Sequence, residues 1–279
     1  MKIVFSPRCL QYYQPGHPEG PERIERTLEH LKQRGYLFSE PAPCREEELL
    51  LCHSQEHVDS VRSEALVGGE TPVYSGIFDY ARLAAGGALR AMLYALDGED
   101  AFSLMRPPGH HASKGPEGFC YFNNIAIAVK KALEKVERVG ILDFDAHHGN
   151  GTQDIFLGDS QVFYVSLHQA GIYPGTGLAS EKNCINFPLA PFTGEEEYLR
   201  KFEKSLERMK QFMPDLLAVS AGFDAHREDP ITQLGLTEAG FGTIGEKIKG
   251  FGVPVFAVME GGYSEKVPKS VREFLRGLE

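Results

Sequence analysis

Cysteine is scarce in this chain of 279 residues. There are five, Cys9, Cys44, Cys52, Cys120 and Cys184, an odd number with no Cys-x-x-Cys pair. That argues against both a disulfide framework and a cysteine zinc site. Long hydrophobic runs are missing: the opening MKIVFSPRC is too short in its apolar part for a secretory signal, and no stretch reaches the length of a bilayer span. Basic charge is also short, with 29 Lys and Arg against 39 Asp and Glu and a formal net charge of −10. Nucleic-acid binders are usually basic, so direct nucleic-acid binding is not expected. The Gly-Asn-Gly after His148 matches neither G-x-G-x-x-G nor a Walker loop, so no phosphate cradle is read there. Repeats, linkers and low-complexity tracts are absent, and the expectation is one domain over 1–279 in a soluble, cytoplasmic protein. No heptad or apolar patch speaks to oligomeric state.

What is present is a 42% hydrophobic chain in which short apolar runs alternate with amphipathic ones. Strands are expected at 2–6, 101–105, 139–145, 162–168, 216–222 and 253–259. Most are continuously apolar, as strands covered on both faces are. Helices are expected over 22–34, 79–96, 123–136 and 195–213, where apolar residues recur on one face. The alternation predicts an α/β fold, an open, mostly parallel sheet with helices on both faces. Ligands bind such sheets beyond the carboxyl ends of the strands. Four of these ends carry polar groups: RPPGHH after 101–105, DFDAHHGNG at 143–151, FDAH after 216–222 and EGGY after 253–259.

In LDFDAHHGNG, Asp143, Asp145 and His147 recur at every second position, and on an extended segment such residues face one way. Two carboxylates and an imidazole at one point call for a cation, because unpaired buried carboxylates are costly. A helix N-cap cluster would explain one of these aspartates but not three groups in register. Asp224 offers a further ligand. Asp145, His147 and Asp224 would leave a position open, the mark of a catalytic metal. Zinc is the default, and the two carboxylates also suit iron(II) or cobalt. A metal-activated water needs a proton acceptor, a task for His110 and His111. Each ring needs an orienting partner, and Asp143 and Asn150 are the candidates. Tyr263, after the flexible pair Gly261 and Gly262, could donate to an oxyanion. His53 and His57 read as solvated or packed histidines on a helix, and His30 as part of an amphipathic helix.

The segments HPEGPERI, RPPGHHA, GFCYFNNIAIA, DFDAHHGNGTQ, SLHQAGIYPGTG, SAGFDAH and EGGY together resemble the histone deacetylase family, of the arginase–deacetylase fold. The resemblance runs in order from about residue 5 to 263, and EGGY and GNGTQ are closer to class II and to bacterial or archaeal members. It implies zinc at Asp145, His147 and Asp224, with His111 as general base and then acid. His110 with Asp143 would be an electrostatic partner, and Tyr263 would bind the amide oxygen. Phe119 and Tyr173, with Gly118 and Ile231, would shape a tunnel for an acyl-lysine-like side chain, and Glu70 would stand at its rim. It also implies potassium at Asp143, Ser166 and the carbonyls of Asp145, His147 and Leu167.

Two departures matter. Asn150 stands where class I members carry Asp. Ile231 follows Asp229-Pro230 where polyamine-selective eukaryotic members have a glutamate gate. The expected substrate is a small-molecule or peptide acylated amine: acyl-lysine, acetylpolyamine or another. A two-manganese ureohydrolase would want a carboxylate where Gly149 stands, and a non-catalytic binder would not need Tyr263.

Overall fold

The computed structural model describes residues 1–65 and 71–279. Along the chain run β1 (Lys2–Val4), α1 (Glu22–Lys32), β2 (Phe38–Ser39), α2 (Glu46–Leu49), α3 (Gln55–Arg62), α4 (Ile77–Leu96) and β3 (Ala101–Ser103). There follow α5 (Asn124–Ala132), β4 (Val139–Asp143), α6 (Asn150–Phe156), β5 (Val162–Gln169) and β6 (Cys184–Leu189). The last elements are α7 (Glu195–Phe212), β7 (Leu216–Ala221), α8 (Glu238–Lys249), β8 (Val255–Met259) and α9 (Val267–Leu278).

The strands form one sheet of eight in the order β2-β1-β3-β8-β7-β4-β5-β6, and every pair is parallel. Parallel strands need crossover connections, which place helices on both faces. Alternate residues of each central strand therefore enter different cores. On β4, Leu142 enters the core that also holds Tyr198, Phe202 and Met209 of α7 and Phe241 and Phe274 of α8 and α9. Val139 and Ile141 face the other way, toward Ile77 and Ala81 of α4 and Ile125 of α5. Burial on both faces explains why these strands read as unbroken apolar runs.

All six expected strands and all four expected helices form, several of them shorter than expected. The expected strand over 139–145 ends at Asp143, and the helix expected over 123–136 ends at Ala132. The pattern missed β2, β6, α6, α8 and α9, while the helix read at His53 and His57 forms as α3, which starts only at Gln55 and so leaves His53 just ahead of it. β6 carries Pro188, which suits the edge strand it is but interrupts an apolar run. α8 contains Gly240, Gly242 and Gly245, weak helix formers. Their use is close packing: a Cβ on Gly245 would collide with the Phe274 carbonyl and lie 3.1 Å from the Gly277 Cα of α9. Among the described residues no helix is long and apolar enough to cross a membrane.

Candidate active site

The four strands whose ends carry polar groups, β3, β8, β7 and β4, are consecutive neighbours in the sheet. Their carboxyl-terminal loops thus meet at one place. The loop after β3 is anchored by Arg106, whose side chain is fully buried. Its Nε and Nη2 donate to the two Glu19 carboxylate oxygens at 2.8 Å each. Nη1 donates to the Cys9 and Tyr12 carbonyls, and Nη2 also to that of Glu19. All five guanidinium donors are used, so a loop rich in proline and glycine starts from a fixed point.

Beyond β4 the chain leaves the extended form. Asp143 does not share a target with Asp145 and His147, contrary to the reading of alternate residues. It is still in the sheet, paired in register with Ser166 and Ser220, and its Oδ2 accepts from His110 Nδ1 at 3.1 Å and the Tyr164 hydroxyl at 3.0 Å. Asp145 and His147 converge instead with Asp224, from the end of β7. One ligand atom from each lies within 4.8 Å of the others, and His147 Nδ1 is 3.1 Å from Asp145 and 2.8 Å from Asp224. Both carboxylates are fully buried. A single imidazolium could neutralise only one of them, so the donor set fits a divalent cation with two carboxylate oxygens and one nitrogen.

The tandem histidines are separated by their partners. His110 Nδ1 bonds the Asp143 carboxylate, whereas His111 Nδ1 bonds the neutral Asn150 Oδ1 at 2.7 Å. Burial by itself would push His110 down, but Asp145, Asp143 and Glu260 override it and raise His110 to about 10. Burial and the neighbouring His110 and His147 push His111 well below the ordinary histidine value. Two identical side chains therefore take opposite charge states.

A cavity of about 260 Å³ opens onto these groups, lined by His110, His111, Asp145 and His147 at its floor and by Phe119, Tyr173 and Tyr263 along its walls. Gly118 and Phe119 both adopt positive φ, +53° and +69°, in a tight turn closed by reciprocal backbone bonds between Glu117 and Cys120. A Cβ on Gly118 would lie 2.8 Å from His111 Cγ and 3.0 Å from Tyr173 Cε1, so glycine allows His111 and Tyr173 to pack together. Ile231 is 40% exposed and lines the mouth. Tyr263 is held by its backbone N–H to Asp229 Oδ2 at 2.9 Å and by Arg23 over its ring. Burial keeps its phenol protonated. Ser166 and Leu167 are buried on β5 beside Asp143, and Ser166 Oγ lies 2.8 Å from His168 Nδ1. Glu70 lies outside the described residues.

Several residues of the site escaped the sequence reading. Glu260, quoted only as part of EGGY, accepts from the backbone N–H of Gly109 at 2.7 Å and of His110, and from Ser220 Oγ at 3.1 Å. It ties the histidine loop to the ends of β7 and β8. Arg23 donates to the Gly262 and Glu260 carbonyls. Its place in HPEGPERI, beside Glu19, was the available signal. His53 and His57 are packed, not solvated, and lie with ring centroids 4.4 Å apart.

A profile of the histone deacetylase domain matches residues 17–278. The chain is 41% identical to a probable deacetylase of Archaeoglobus fulgidus, over 94% of this chain and 81% of that one. It is 36% identical to a histone deacetylase-like amidohydrolase of Pseudomonas aeruginosa, over 90% of this chain and 73% of the other. Its structure is similar to that of an acetylpolyamine aminohydrolase from Burkholderia pseudomallei, with a TM-score of 0.93 and 28% identity, covering 99% of this chain and 98% of that one.

Proposed function

The chain belongs to the histone deacetylase family, and from that premise we propose that it is a zinc-dependent amidohydrolase that removes acetyl or short acyl groups from an amine such as an acylated lysine. The observation that carries this reading is the convergence of Asp145, His147 and Asp224 beneath a cavity that also holds a neutral and a charged histidine. Asp145, His147 and Asp224 would hold the ion, for which zinc is the first choice and iron(II) or cobalt alternatives. When bound, it supplies a Lewis acid that polarises the amide carbonyl and acidifies water.

The protein's own groups divide the remaining work. Asn150 accepts from His111 Nδ1, which leaves Nε2 free to take a proton from the attacking water and return it to the departing amine. His110, held cationic by Asp145, Asp143 and Glu260, adds positive charge beside the reacting carbonyl. The Tyr263 hydroxyl donates to the developing oxyanion. Phe119 and Tyr173 exclude water and confine the acyl-bearing chain. The second cation, potassium, is assigned to Asp143, Ser166 and the carbonyls of Asp145, His147 and Leu167. The register pairing of Asp143 with Ser166 supports it. Five free thiols support a reducing, cytoplasmic setting.

A second reading, an acetylpolyamine as substrate, is favoured by the likeness over nearly the full length of the Burkholderia enzyme. Against it, the apolar Ile231 lines the cavity mouth. Acetate release by zinc-loaded protein, measured in parallel on an acetyl-lysine peptide and an acetylated polyamine, decides between them. Release from the peptide supports the first reading, and release from the polyamine alone the second. No release from either or from longer acyl amines, with one metal bound, would overturn both.

A further inference from the structure

We propose that Glu117 is a positioning residue that sets the tautomer of His111 by fixing which way the Asn150 amide points. The inference rests on the reading of His111 as general base and extends it to a residue outside that base's immediate contacts. An asparagine amide has a donating and an accepting end of nearly the same shape, and only its partners choose between them. Asn150 Nδ2 donates to Glu117 Oε1 at 3.1 Å while Asn150 Oδ1 faces His111 Nδ1 at 2.7 Å. An ionised carboxylate can only accept. The Asn150 NH₂ must therefore turn to Glu117, its oxygen must turn to His111, and the His111 proton must sit on Nδ1. Nε2 is left with its lone pair, on a ring that lines the cavity.

The same Glu117 oxygen accepts from the Tyr173 hydroxyl at 3.1 Å, so one atom orients the base and braces a wall. Glu117 is itself held, since its backbone N–H and carbonyl both pair with Cys120, at 2.9 and 2.8 Å. With an aspartate at position 150 no such device would be needed, because a carboxylate accepts from His111 at either oxygen. Asn150 makes orientation a matter of choice, and Glu117 makes the choice.

The test compares Glu117→Met, which keeps the length and loses the acceptor, with Glu117→Gln, which keeps an acceptor oxygen. Ring ¹⁵N shifts of His111 in zinc-loaded protein report the tautomer directly and need no substrate. They therefore stay readable even if none of the acylated amines tested is hydrolysed. The wild type is expected to hold Nδ1–H and Glu117→Met to show a mixture of tautomers, with Glu117→Gln, whose own amide can turn either end to Asn150, between the two. If turnover is measurable, Glu117→Met lowers kcat about tenfold with KM within about threefold, and Glu117→Gln recovers kcat in step with its share of the Nδ1–H tautomer. A wild-type tautomer in folded Glu117→Met overturns the proposal. So does a Glu117→Gln variant as impaired as Glu117→Met with its tautomer intact, since charge and not orientation would then be at work.

Discussion

Replacing Arg106 by Met should test how the histidine loop is held. The side chain is fully buried and Glu19 is 3% exposed. The substitution leaves the Glu19 carboxylate without its bidentate partner and the Cys9, Tyr12 and Glu19 carbonyls without their Arg106 donors. Breaking a buried ion pair from one side costs about 3–5 kcal/mol. Arg23 Nη1, 3.3 Å from Glu19, retains part of the compensation, so about 4 kcal/mol is expected. That is a large share of the roughly 5–15 kcal/mol that holds a typical protein folded. Urea unfolding of the wild type, Arg106→Met, Glu19→Gln and the double variant would give the pair's coupling. The double variant removes both charges, so its loss should fall short of the summed single losses by at least about 2 kcal/mol. Additivity within about 0.5 kcal/mol would refute the claim that these two side chains form the anchor.

Tyr263→Phe should bind metal as the wild type does and lose about 10²–10³ in kcat. Metal analysis beside steady-state kinetics checks this, and full turnover would remove Tyr263 from its role. Chelation should abolish activity and lower the thermal midpoint. Re-added zinc at about 100 times its Kd should restore about 2.7 kcal/mol, and Asp224→Ala should lose that dependence. His53 is pushed down to about 3 by burial and by His57, and its Nε2 accepts from the Asn123 N–H at 2.9 Å. The folded state holds it neutral, while the unfolded chain protonates near pH 6.5. Its contribution is therefore present above about pH 6.5 and falls with acidification toward pH 3, by about 2 kcal/mol at pH 5. The stability difference between the wild type and His53→Gln should shrink by that amount between pH 7.5 and 5, and a pH-independent gap would sink the argument.

How much of this was legible in the sequence depends on the range of the interaction. The α/β class followed from local patterning, because burial on both faces leaves continuous apolar runs and amphipathic helices leave stripes. β6 and α8 were hidden because a proline and three glycines oppose local propensity, and they form because an edge strand and a close helix pair tolerate them. The chemistry-bearing residues were visible as polar groups at strand ends, since parallel sheets place their sites there.

The sequence by itself determined which residue types stand at the carboxyl edge and the alternation that brings them there. Only the tertiary structure decided their pairings. His110 finds Asp143 across 33 residues and Arg106 finds Glu19 across 87. Asp143 stays out of the Asp145, His147 and Asp224 cluster because it is still held in the sheet. Charge state follows from such partners and not from residue type. That is why His110 and His111, adjacent and chemically identical in the chain, become a cation and a neutral ring once the fold surrounds one with the carboxylates of Asp145, Asp143 and Glu260 and buries the other beside His110 and His147.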